Sequence, residues 1–395
     1  MSNMASRYPD SVDPTRTDGR DINCEVAELS GEASSQVISG STDEDTGSIF
    51  KAWNALPEPR RDDPTYYDRP MLKESVWEWA IPLYYYIGGL TGASLVLSAA
   101  AQLKQTAALD LLIRRGHRIG FFGCLVSGGL LIYDLGRPSR FLNMLRVFRP
   151  TSPMNMGAWI LSGTGASATG ALLFGGRGGL LGNVGGFFGG VFGLLAGVFG
   201  LGLSTYTGVL VANSAIPIWQ ESRKALPVLF GSSALASLGC TFDIFCERPE
   251  ARRITNLIGN VGRAAELMAG MTMERQASAV PRVGRPFKRG LSGLMWRGAA
   301  LLTFASLVLS TLPNRSRKSR IAAGLLGTAG SLLLRTTVEH LGTVSARDAR
   351  ASFHQQRARR GAAELKKSLS AADDATDAAR LENSLDLIGD QRRPI

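Results

Sequence analysis

Seven stretches of the chain stay apolar for about the 20 residues that one helix needs to cross a hydrocarbon layer. They cover residues 79–103, 116–135, 156–174, 180–212, 225–246, 291–312 and 321–341. An eighth, 254–273, carries Asn256, Asn260, Arg263 and Glu266 at helical spacing. That stripe makes it either a surface-lying helix or a span whose polar side faces a bundle, and a count of eight spans is preferred. In the fourth stretch Gly182, Gly186 and Gly190 form one four-residue row, and Gly185, Gly189, Gly193 and Gly197 another. Such rows let helix backbones approach closely in lipid. The expected fold is all-α and membrane-integral, with eight transmembrane helices packed as two bundles of four.

Polar segments flank this body. Residues 1–75 are rich in Ser, Asp, Glu, Thr and Pro and are expected to be mostly disordered. The membrane domain is assigned to 76–344 and a polar tail to 345–395, in which Leu365, Leu369, Leu381, Leu385 and Leu387 suggest a short amphipathic helix. No apolar run precedes Trp79, so the first span is expected to act as its own insertion signal.

Charge sharpens this division. Residues 1–50 hold ten acids and three arginines, −7 in all, against +11 for the 395 residues, so the remainder carries +18. Between Trp79 and Gln220 the only acids are Asp110 and Asp134. A soluble core needs acids for solubility and ion pairing, so a single soluble domain is excluded. Basic residues lie on loops of both parities: Lys104, Arg114, Arg115 and Arg118 on one side, Arg137, Arg140, Arg146 and Arg149 on the other. The positive-inside tendency therefore does not fix orientation, and one basic loop is expected to be held by a partner.

The inventory of ligands excludes several chemistries. Cys24, Cys124, Cys240 and Cys246 show no CxxC spacing, which argues against a zinc ribbon or an iron–sulfur cluster in this chain. His117 and His340 sit at expected helix ends, unsuited to paired haem ligation at membrane depth. The glycine runs at 163–165 and 175–186 follow no strand and precede no GK[ST], so they read as packing surfaces and not phosphate loops.

An ionisable residue at membrane depth asks for a partner or a role. Asp134 closes the second stretch in Tyr133-Asp134-Leu135-Gly136-Arg137-Pro138, where Gly136 and Pro138 stop the helix and bring Arg137 near the carboxylate. The motif is either an Asp–Arg clasp on a helix end or a proton-handling carboxylate tuned by its neighbour. Arg335 and Glu339, four apart, are expected to form a structural ion pair, with a place on a proton path as the other reading; Glu266 shares that second reading. Asp243 is expected to reach the interface. After Pro138, Phe141, Leu142, Leu145 and Phe148 fall on one face of an interfacial helix whose arginines meet lipid headgroups or an acidic protein surface.

Five blocks carry a resemblance. They are Trp77-Glu78-Trp79 through Tyr84-Tyr85-Tyr86-Ile87-Gly88-Gly89; Asp134-Leu135-Gly136-Arg137-Pro138; Phe148-Arg149-Pro150-Thr151-Ser152-Pro153-Met154-Asn155-Met156-Gly157-Ala158-Trp159; Tyr206-Thr207-Gly208 to Pro217-Ile218-Trp219; and Ser345-Ala346-Arg347-Asp348 before Gln355-Gln356-Arg357. In this order, over residues 64 to 358, the chain resembles the NrfD/PsrC family, the membrane subunits of polysulfide reductase and related complexes. The resemblance implies a haem-free subunit in a bacterial cytoplasmic membrane. It would bind a quinone, menaquinone or ubiquinone, as substrate and sit beside an iron–sulfur subunit that serves a molybdopterin catalytic subunit. Nucleic acid is not among the expected partners.

Carried over by motif, Asp134 becomes the proton acceptor and Arg137 its tuning partner, with Tyr206, Glu78 and Tyr85 around the head group and Arg140, Arg146 and Arg149 docking the partner. The chain departs from the family in lacking a histidine near the start of the first helix, where Glu78 would substitute, and in its long acidic N-terminal segment. A function of another class, a proton or ion conduit or a passive anchor without quinone chemistry, fits the polar residues within the spans equally. The two differ in what Asp134→Asn should do.

Overall fold

The computed structural model describes residues 22–23, 28–29, 72–75, 77–104, 109–136, 139–175, 182–245, 249–313 and 315–357. Most of the acidic segment, Arg137, Pro138 and the leucines of the C-terminal tail lie outside the described residues. Within 1–71 the described part is an antiparallel pairing of Ile22–Asn23 with Glu28–Leu29.

Everything else described is helical or connecting chain. Eight helices have 21 residues or more: α1 (Ala80–Lys104), α2 (Asp110–Asp134), α4 (Pro153–Phe174), α5 (Gly182–Ala212), α7 (Ala225–Phe245), α8 (Pro249–Ser278), α10 (Gly290–Thr311) and α11 (Arg317–Arg347). Shorter helices join them: α3 (Ser139–Arg146), α6 (Pro217–Glu221), α9 (Arg285–Lys288) and α12 (Ala349–Arg357). Among the described residues five helices are long and apolar enough to cross a membrane: α1, α5 from Gly186, α7, α10 and α11. Arginines in the first half of α2, small and hydroxyl residues in α4 and the charged stripe of α8 reduce the apolarity of the other three. The stripe of α8 faces inward, with Arg263 and Glu266 buried, so α8 is no surface-lying helix.

Local sequence explains the helix ends. Gly136, at φ 65°, lies just past α2 in the left-handed conformation that glycine adopts without penalty, and its N–H donates to Tyr133 O. Ser152 caps α4 by accepting from Asn155 N, with Pro153 at the first helical position. Ser316 caps α11 in the same way.

Packing separates two sets. α1 lies against α2 and α5, and α4 against α5 and α2; α7 lies against α8, and α11 against α10 and α7. The sets meet where α7 touches α1 and α5 and where α11 touches α1. Among the described glycines of α5, only one of the two rows makes the expected close approach. A Cβ on Gly197 would fall 2.3 Å from that of Ala99, whereas Gly186 and Gly190 have nothing within 4 Å. The open row shares its helix with exposed Phe187, Val198 and Leu201, as an outward apolar face does.

Helical structure runs past residue 344, the end assigned to the membrane domain. Ser345 Oγ accepts from Ile218 N at 3.2 Å, Asp348 takes Arg282 at 2.8 and 3.0 Å, and Gln355 donates to Glu221 at 3.1 Å. The first part of the tail is thus a clasp on α6 and the segment before α9.

Candidate functional site

The N-terminal ends of α1 and α4 and the C-terminal ends of α2 and α5 converge at one end of the molecule on a narrow cleft. Trp77 lines it from the approach to α1, Ile81, Tyr84 and Tyr85 from the first turns of α1, Leu131 and Asp134 from α2, and Leu135 from just past α2. Phe141 and Met144 of α3, Met154, Gly157 and Ala158 of α4, and Tyr206 and Leu210 of α5 complete it. Its free volume is about 60 Å³, room for about four waters at 10–15 Å³ each.

Asp134, Tyr85 and Tyr206, at least 49 residues apart in sequence, are thus brought together. The Asp134 carboxylate faces the backbone of Glu78. The Glu78 side chain itself is exposed and does not line the cleft. The Tyr85 hydroxyl is buried and has no hydrogen-bond partner among the described residues, while its ring meets Trp77 edge-on at 6.2 Å and Phe230 at 5.6 Å. A buried polar atom of that kind costs roughly 1–3 kcal/mol until something pairs with it. Tyr206 differs: its hydroxyl donates to Pro153 O at 2.6 Å, so it holds the start of α4 and keeps only its lone pairs for a ligand.

Three residues within the quoted blocks have roles that sequence reading did not assign. A Cβ on Gly157 would fall 2.1 Å from Tyr206 Cζ, so the Tyr206 ring can lie over α4 only because position 157 is glycine. Asn155 ties the turn after α3: its Nδ2 donates to Met144 O and to Val147 O at 2.9 Å, and its Oδ1 accepts from Arg149 N at 2.7 Å. Trp77 stacks on Trp219 at 6.0 Å, whose Nε1 donates to Val338 O, and so carries the cleft wall onto the second helix set.

α3 ends at Arg146, short of Phe148, so the expected four-residue apolar face is divided. Phe141 turns to the cleft, Leu142 and Phe148 are exposed, and Phe148 packs edge-on against Trp159 at 5.9 Å. Arg146 and Arg149 border a shallow depression with Asn143, Val147 and Asn155. Arg137 and the Arg140 side chain lie outside the description, so the Asp134–Arg137 clasp does too.

The remaining candidates lie among α7, α8, α10 and α11. Arg335 and Glu339 do not form the expected ion pair. Glu339 accepts from Ser75 at 3.0 Å and Thr343 at 3.2 Å, whereas Arg335 donates to Ser233 Oγ and, at 3.4 Å, to Phe230 O. Glu266 accepts from Thr303 and Ser331, each at 2.9 Å. Asp243, expected at the interface, is buried and paired with Arg263 at 2.7 Å.

Among the described residues no group of three or more His, Cys, Asp or Glu is placed to hold a metal. A family model described as polysulphide reductase, NrfD, matches residues 69–338, and a search of curated proteins found no match to the chain. The chain belongs to the NrfD family, membrane subunits of quinone-linked oxidoreductases.

Proposed function

We propose that this chain is the quinone-reactive membrane subunit of a respiratory oxidoreductase in a bacterial cytoplasmic membrane. Its eight long helices span the bilayer as two bundles of four. It carries no haem and no cluster, and exchanges electrons with an iron–sulfur subunit that serves a molybdopterin catalytic subunit. The observation that carries the reading is the cleft: a carboxylate, an unpartnered buried hydroxyl and aromatic walls meet at one end of the first bundle. A quinone head group offers two carbonyls for donors, a flat ring for aromatic faces and, when reduced, two protons to give up.

Oxidation of one quinol passes two electrons to the partner and releases two protons. Asp134 accepts the proton of the hydroxyl it faces, with Arg137 tuning it, the other hydroxyl gives its proton to water at the cleft mouth, and Tyr85 donates a hydrogen bond to a carbonyl that forms. The oxygen of Tyr206 borders the ring, and the Glu78 backbone holds the carboxylate. Met144, Met154 and Phe141 are the side chains that give way to admit the ring, as unbranched thioethers do at adaptable surfaces. The docking surface for the partner is Arg140, Arg146 and Arg149, which keeps its cluster near the ring.

Asp134→Asn tests the reading. It keeps shape and hydrogen bonding but cannot accept a proton. Quinol turnover in the assembled complex should fall about 10²-fold or more, the usual effect of removing a general base. Parental turnover in an assembled variant would leave Asp134 a helix-end residue of a passive anchor.

A further inference from the structure

The end of the second bundle opposite the cleft holds more guanidinium groups than its anions can receive. Asp243, on the last turn of α7, is buried and takes Arg263 of α8 at 2.7 Å. Arg315, in the connection between α10 and α11, stands 3.7 Å from the other oxygen of the same carboxylate, close enough for attraction and too far for a hydrogen bond. Arg320 in the first turn of α11 and Arg252 in the first turn of α8 lie in electrostatic range of Arg315 as well. Arg115 of α2 reaches the same corner, where it donates to Phe245 O at 2.8 Å.

Two of these arginines keep donors that no described residue takes. Arg315 Nη1 and Arg320 Nε are buried and have no hydrogen-bond partner among the described residues, and the Arg315 side chain is only 10% exposed. Arg263 differs, since it donates to Asp243, Asn260 Oδ1 and Cys240 Sγ. Burial works against the charge on Arg315, Asp243 supports it, and Arg263, Arg320 and Arg252 work against it again. Buried N–H groups are paired in native structures, and a buried cation short of an anion is strongly destabilising. The corner therefore calls for a second anion.

The surroundings say which anion. With the helices spanning a bilayer, their ends lie where the headgroup layer begins. The Ser310 hydroxyl of α10 donates to Asn260 Oδ1 of α8, and near that contact Leu257 and Val261 of α8 and Val308 and Leu312 of α10 are exposed. Apolar side chains exposed on spanning helices face acyl chains. Arg253, Arg317 and Lys318 add exposed positive charge at the same helix ends. Guanidinium forks match the paired oxygens of a phosphate, and basic pockets between membrane helices take anionic head groups. A zwitterionic head group would bring its own cation among the arginines.

We propose that the ends of α7, α8, α10 and α11 opposite the cleft hold the phosphodiester of an anionic phospholipid. Its two unesterified oxygens take Arg315 and Arg320, and its acyl chains lie along Leu257, Val261, Val308 and Leu312. The lipid supplies the anion that Asp243 alone does not, and it ties the connection between α10 and α11 to the ends of α7 and α8. No step of quinone chemistry enters, so the site stands or falls apart from the reading of the cleft.

Native mass spectrometry of the full chain in detergent, titrated with phosphatidylglycerol, phosphatidylcholine or inorganic phosphate, tests the site. One phosphatidylglycerol should stay bound through delipidation, with an affinity at least tenfold above that of phosphatidylcholine, and excess inorganic phosphate should not displace it. Arg315→Gln/Arg320→Gln should weaken phosphatidylglycerol binding at least tenfold. Arg114→Gln/Arg118→Gln removes two exposed charges from the first turns of α2, at the same end of the molecule, and should change it less than twofold. Equal affinity for the two lipids, equal losses in the two double variants, or parental binding in Arg315→Gln/Arg320→Gln overturns the proposal. Displacement by inorganic phosphate overturns it too, in favour of a site for a free anion. Should Arg315→Gln/Arg320→Gln fail to fold, the parental chain still decides: phosphatidylglycerol should raise its unfolding temperature, and an equal rise with phosphatidylcholine would contradict the site.

Discussion

In the first bundle the acids are Asp110 and Asp134, both at ends of α2, and the interior is closed by tyrosines, hydroxyls and small residues; the second carries Arg263, Glu266, Arg335 and Asp243 along its interior. Helix ends can hold polar groups cheaply because interfacial water and backbone termini are near. Charges at depth persist only in networks that satisfy them. The first bundle thus gathers its polar groups at one end, whereas the second carries them through its interior.

The comparison breaks most readily in the second bundle. Asp243→Ala leaves Arg263 buried and without its carboxylate, so the protein in detergent should lose about 3–5 kcal/mol of stability, the usual cost of removing one partner of a buried pair. Thermal unfolding with and without Arg263→Met reads this. The double variant should recover much of the loss, and an Asp243→Ala protein as stable as the parent would mean that the pair is open to water.

Gly157→Ala sharpens the first-bundle side. The added methyl meets the Tyr206 ring, and overpacking of that kind costs about 1–3 kcal/mol. Quinol turnover should fall with it as Tyr206 leaves the cleft wall, and shortening the ring in Tyr206→Leu should restore stability without restoring turnover.

The smallest effect belongs to the rim. Charge reversal at Arg146 and Arg149, both exposed, should leave the fold unchanged and weaken capture of the iron–sulfur partner as salt rises, as expected for screened surface charge. Co-purification at moderate salt checks it.

How much of this was legible in the sequence depended on the range of the interaction that fixes each feature. The long helices were, because length and apolarity are local. Asp134, Tyr85 and Tyr206 were placed in one site through short blocks in a recognisable order. The work of Gly157 and Asn155 was not legible, since it depends on a ring from α5 and on carbonyls of the turn after α3. The Arg335–Glu339 expectation failed for the same reason: i,i+4 spacing allows the pair, but Ser233 and Phe230 on α7, and Ser75 before α1, offer each group better partners. Asp243 and Arg263 stand 20 residues apart on adjacent helices, and nothing in either local sequence announces the other.

The most direct measurement is where a quinone binds. A photoreactive quinone analogue, activated on the purified chain and mapped by mass spectrometry, should label the segments around Trp77–Tyr85 and Met144–Met154. Unlabelled quinone should protect both. Labelling confined to the helices of the second bundle, or labelling at the cleft that excess quinone does not displace, would contradict the account.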